Sequence, residues 1–69
     1  MKISNENNGR ILEIESFKDD EGDYVAVTMF YKNKAQPMTL IGAVEINDAQ
    51  ECDWVINNLM AAKSELGWK

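Results

Sequence analysis

The sequence predicts an α+β domain: a three-stranded antiparallel β-meander followed by one C-terminal α-helix packed on one face of the sheet, in βββα order. Three observations carry this expectation. Between about residues 10 and 46 lie three strand-like runs, the first with the two-residue alternation of a half-buried strand and the second rich in β-branched and aromatic types, and clusters of turn-forming residues separate them. Beyond Asn47 the apolar residues recur at three- and four-residue spacing, the period of one helix face. The chain has 69 residues, which leaves room for a single small domain spanning residues 1–69.

The elements follow in order. Residues 1–9 are polar, and Asn5-Glu6-Asn7-Asn8-Gly9 reads as a flexible arm or turn ahead of the first strand. The first strand spans about Arg10 to Lys18, with Leu12, Ile14 and Ser16 alternating against Ile11, Glu13, Glu15 and Phe17. Asp19-Asp20-Glu21-Gly22 is a turn. The second strand, about Asp23 to Lys32, is rich in β-branched and aromatic types: Tyr24, Val25, Val27, Thr28, Phe30 and Tyr31. Asn33-Lys34-Ala35-Gln36-Pro37 breaks it, because Pro37 has no amide hydrogen for a central strand. The third strand runs from about Met38 to Ile46. Asp48-Ala49-Gln50-Glu51 has capping-box spacing, Cys52, Val55, Ile56, Leu59, Ala62 and Leu66 form the apolar stripe, and Gly67 supplies the stop.

Side-chain parity assigns the two faces of the sheet. Leu12, Ile14, Val25, Val27, Met29, Tyr31, Leu40, Val44 and Ile46 form the more apolar face, expected against the helix. The other face carries Ile11, Glu13, Glu15, Phe17, Tyr24, Ala26, Thr28, Phe30, Ile41, Ala43 and Glu45. A symmetric turn at Lys18 to Asp23 pairs Phe17 with Tyr24, Glu15 with Ala26, Glu13 with Thr28 and Ile11 with Phe30. A four-residue loop at Lys34 to Pro37 pairs Phe30 with Ile41, Thr28 with Ala43 and Ala26 with Glu45. Apolar rows then bracket a carboxylate-bearing centre.

Charge narrows the function classes. Twelve acidic against seven basic residues give a net charge of -5, which disfavours direct binding to nucleic acid, where clustered Lys and Arg must displace counterions. The segment from Glu13 to Asp23 holds six carboxylates, Glu13, Glu15, Asp19, Asp20, Glu21 and Asp23, against Lys18 alone. That is half of all the acid in the chain. A solvated hairpin is the ordinary account of such a cluster, since Asp and Gly suit turns; docking on a basic surface is the other account. Carboxylates also suit calcium, but Asp19-Asp20-Glu21-Gly22-Asp23 lacks the ligand alternation and terminal Glu of an EF-hand loop.

Catalysis has little to work with. The chain has no His, and its one Cys, Cys52, falls on the apolar helix stripe, where a packed thiol is the expectation. One cysteine excludes an internal disulfide, and without His no nitrogen-sulfur zinc site assembles, so neither cofactor nor metal is expected. Glu15 and Glu45 are not expected to act as a glycosidase pair, because a flat sheet face offers no cleft for a sugar. Trp68, after Gly67, is expected to fold against the last helical turn. Trp54 lies off the stripe and either caps the edge of the core or stays exposed as an anchor. The N-terminus lacks the apolar core of a secretory signal, no run of about 18 apolar residues offers a membrane span, and the lone thiol fits a reducing interior, so a cytoplasmic location without membrane contact is expected.

A meander followed by a capped helix resembles the partial RNase-H-like domain of HicB-type antitoxins, and Asp19-Asp20-Glu21-Gly22-Asp23-Tyr24-Val25-Ala26-Val27 is similar to their acidic turn leading into strand two. In size, charge and architecture the chain also resembles small acidic phage-encoded inhibitors such as anti-CRISPR proteins. Both resemblances imply an acidic module that blocks a basic macromolecular site. The expected function is therefore a non-enzymatic protein that inhibits or regulates a nucleic-acid-handling protein. Its expected contact residues are Glu13, Glu15, Asp19, Asp20, Glu21, Asp23, Tyr24, Phe30, Glu45 and Trp54. The other expectation is a self-associating structural or adaptor subunit, a homodimer through the outer sheet face, with Lys18, Lys32 or Lys34 of one copy meeting carboxylates of the other.

Overall fold

The computed structural model describes residues 1–32 and 39–68. It is an α+β fold with four strands in one antiparallel sheet, β1 (Lys2–Asn7), β2 (Arg10–Asp19), β3 (Gly22–Tyr31) and β4 (Thr39–Ile46), and one helix, α1 (Ala49–Glu65). Strand order in the sheet is β1-β2-β3-β4, a simple meander. The expected loop from Lys34 to Pro37 lies outside the described residues.

The polar N-terminus is a strand rather than an arm, which corrects the strand count from three to four. The cause is the turn that follows it. Asn8 and Gly9 have φ of 51° and 77°, and positive φ at both central residues is what a two-residue hairpin turn of matching twist requires. Such a turn folds residues 2–7 back on β2, pairing Lys2 with Glu15, Ile3 with Ile14, Ser4 with Glu13 and Glu6 with Ile11. Backbone hydrogen bonds hold a strand whose side chains are mostly polar.

The β2–β3 hairpin has the expected register, Phe17 opposite Tyr24, Glu15 opposite Ala26, Glu13 opposite Thr28 and Ile11 opposite Phe30. Across β3–β4, Ala26 opposes Glu45 and Thr28 opposes Ala43, also as expected. The exception is the far end. Phe30 opposes Leu40, not Ile41, because the register shifts at Met29/Phe30 and Ile41 becomes the extra residue of a bulge. Leu40 therefore leaves the face that parity alone assigns it.

Helix α1 begins and ends as its sequence signals require. Asp48 Oδ1 accepts from the Glu51 amide at 2.8 Å, which satisfies one first-turn donor, and Glu51 Oε1 accepts from the amide of Asn47, just before the cap, at 2.8 Å. At the other end Gly67, with φ of 72°, donates to Ser64 O, and the Trp68 amide donates to Lys63 O, the paired bonds of a Schellman stop. Trp68 itself is 68% exposed and does not cover the last turn. The bonds that define this stop are all main-chain, so the ring is not needed to make it.

The helix does not pack on a face of the sheet. None of its residues is buried, and only Glu51, Cys52 and Val55 are half-buried. The molecule measures 38 × 36 × 16 Å, while four strands about 4.8 Å apart are only about 15 Å wide; the helix extends the sheet sideways instead of adding a second layer. Its stripe is left open, with Leu59 65% exposed. Ile46, at the end of β4 where the chain turns into the helix, is the single buried apolar residue among those described, at 6% exposure. Cys52 is half-buried rather than enclosed in a core.

Candidate functional site

The acidic residues come together because the β2–β3 turn and the end of β4 meet at the same edge of the molecule. The Asp20-Glu21 turn is closed by Asp19 opposite Gly22, and Asp19 Oδ1 accepts from the Glu21 amide at 3.2 Å, the local bond that suits Asp to a turn. Next along the sheet, Phe17 and Tyr24 stack as a cross-strand pair, with ring centroids 4.7 Å apart and 16° between planes. Beside them runs the row Lys2, Glu15, Ala26, Glu45.

These pieces surround a shallow concavity lined by Asp19, Glu21, Asp23, Tyr24, Glu45 and Asn47. Four acidic residues from two parts of the chain, the hairpin and the end of β4, therefore line one concavity together with Tyr24. Asp19, Asp20, Glu21, Asp23 and Glu45 are all exposed, and Tyr24 is half-buried by its stack. The carboxylates do not converge on a point: among the described residues no group of three or more ligating side chains is placed to hold a metal ion. The surface presents spread negative charge around a ring, suited to extended cationic groups.

Glu13 and Glu15 lie further along the same face, both half-buried. Glu15 and Glu45 stand two strands apart across the small Ala26, a spacing of roughly 10 Å. The charge there is less negative than the β2–β4 segment alone implies. Lys2 sits in the Glu15 row and its Nζ lies 3.7 Å from Glu13 Oε2. No alternation pattern marks Lys2 as part of the sheet; the Asn8-Gly9 turn is the one sequence signal that points to it. At the far end of the face, Lys32 Nζ lies 3.3 Å from Glu6 Oε1.

Phe30 and Trp54 are not part of this constellation. Phe30 is half-buried in the row with Ile11 and Leu40, six residues along β3 from Tyr24 and so roughly 20 Å away. Trp54 is 56% exposed and lines a different concavity, between Val44 and Ile46 of β4 and Val55 and Leu59 of α1. It stays open to solvent rather than capping the edge of a core.

No helix among the described residues is long and apolar enough to cross a membrane. Comparison with known protein families, curated proteins and solved structures finds no match to this chain.

Proposed function

We propose that the chain is a non-enzymatic acidic binding protein that inhibits or regulates a nucleic-acid-handling protein by occupying a basic surface on it. The observation that carries this reading is that Asp19, Glu21, Asp23 and Glu45 line one concavity with Tyr24 at an exposed edge. Carboxylates pair with guanidinium and ammonium groups, and an aromatic face adds attraction for the same cations. Asp20, exposed at the tip of the turn, extends the negative surface outward. Clustered Lys and Arg are the signature of surfaces that bind phosphate backbones, so a surface complementary to this edge is one that nucleic acid also fits. The resemblance to small acidic phage-encoded inhibitors points the same way.

Glu13 and Glu15 add charge along the face, and Phe30 and Trp54 reach the partner only if it spans well beyond the hairpin. The test starts from a partner captured on the immobilised chain and identified by mass spectrometry. Reversing charge with Asp20→Lys and Glu21→Lys should slow association roughly tenfold and flatten its dependence on salt, since steering by exposed charge acts on the on-rate. An unchanged association rate removes the hairpin from the mechanism. Capture of no nucleic-acid-handling protein counts against the reading as a whole.

A further inference from the structure

We infer that the chain functions as a homodimer in which helix α1 of each copy covers the aliphatic sheet face of the other. Area comes first. A globular monomer of this 7.8 kDa mass exposes about 4,400 Å², whereas the chain exposes 6006 Å². Its radius of gyration is 14.1 Å, against about 11 Å for a compact chain of this length. The excess is about 1,600 Å² per copy, so two copies burying it against each other lose about 3,200 Å² in total, within the range of obligate dimers.

What lies open is self-complementary. Ile3, Ile14, Val27 and Val44 form one unbroken row across all four strands, and Leu12 and Met29 pair in the next. Their outer members are open, with Val44 54% exposed. The same chain carries the apolar stripe that such a face requires, and that stripe is open too. Seventeen residues of helix make about 26 Å, which fits along ten-residue strands of about 33 Å. The chain's own helix leaves this face open: only Asn47 and Asp48 separate β4 from α1, both are tied to Glu51 by hydrogen bonds, and no residue of α1 is buried.

Charge permits a second copy on this face and opposes one on the other. The three rows through Val25, Val27 and Met29 contain no ionisable side chain, whereas the opposite face holds Glu6, Glu13, Glu15 and Glu45. Two copies of a chain with net charge -5 can meet on the aliphatic face while both sets of carboxylates remain outside. This exchange differs from a dimer through the acidic face, which would bring like charges together across a two-fold axis. It also stands apart from the hairpin reading, since a dimer forms or fails whether or not a basic partner binds.

Sedimentation equilibrium on the intact chain at micromolar concentration should give twice the 7.8 kDa chain mass; a monomer overturns the inference. Isotope-filtered NMR on a mixture of labelled and unlabelled chains should show intermolecular contacts from the Ile56 and Leu59 methyls to those of Ile14 and Val27. A dimer whose intermolecular contacts lie instead at Phe30 or along a strand edge overturns the arrangement. Leu59→Asp should raise the dissociation constant roughly 30-fold or more. Should that variant fail to fold, the mass and methyl contacts of the unaltered chain still decide the matter.

Discussion

The two faces of this sheet are made by alternate residues of the same four strands, yet they solve opposite problems. On one, Glu13 and Glu15 stand among Lys2, Ser4, Thr28 and Ala43, with Lys2 paired to Glu13 and Lys32 to Glu6. That face can stay in water. On the other, Ile3, Ile14, Val27 and Val44 line up with no charged neighbour in their row, and no described element of the same chain covers them. The difference shows that amphipathic alternation prepares a face for burial without supplying what buries it. A chain of this length buries only about 60% of the surface it exposes unfolded, and the proposed homodimer is what would supply the cover.

The contrast can be broken most forcefully at two adjacent residues of β3. Val27→Asp places a charge in the centre of the aliphatic face and should cost about 3–5 kcal/mol if that face is buried in a dimer, enough to abolish folding of a marginal domain. Thr28→Asp, one residue on and facing the other way, should cost about 1–2 kcal/mol, from poor strand propensity and repulsion by Glu13 opposite it. Urea denaturation measures both, and equal losses would erase the distinction between the faces.

The helix ends come next. Asp48→Ala removes the acceptor for the Glu51 amide and should cost about 1 kcal/mol; Gly67→Ala forces a side chain into positive φ and should cost about 1–2 kcal/mol. If each helix covers the other copy, both losses appear in the dimer dissociation constant as well as in the thermal midpoint. A shift in helicity alone, with the dissociation constant unmoved, would detach the helix from the interface. The smallest effect is expected at Lys2→Ala, which breaks a surface ion pair between the exposed Lys2 and the half-buried Glu13 and should cost under about 1 kcal/mol in the same denaturation assay.

Much of the fold is legible from residue types. The Phe17–Tyr24 and Glu15–Ala26 pairings follow from a short symmetric turn, because a hairpin's loop length sets its register. The helix limits follow from Asp48, Glu51 and Gly67, whose side chains or backbone freedom act within a few residues. β1 is hidden because Lys2, Ser4, Asn5, Glu6 and Asn7 carry no strand pattern, and only its turn betrays it. The Ile41 bulge is hidden too, since an extra residue in a strand leaves the alternation locally ambiguous. At the hairpin edge, the acidic turn, Tyr24 and the Ala26–Glu45 pairing can be seen in advance, but the approach of Asn47 requires strands distant in the chain to be set side by side.

The sequence by itself determined the local devices: where strands turn, which residues alternate, where the helix is capped and stopped, and that half of the acid falls between Glu13 and Asp23. Each depends on interactions within a few residues of chain. Only the tertiary structure decided that a fourth strand brings Lys2 beside the carboxylates, that Asn47 joins the hairpin edge, and that α1 lies beside the sheet with both apolar surfaces open. Those outcomes turn on how elements far apart in sequence are placed in space, and apolar periodicity records only that a face is to be buried, not which chain will bury it.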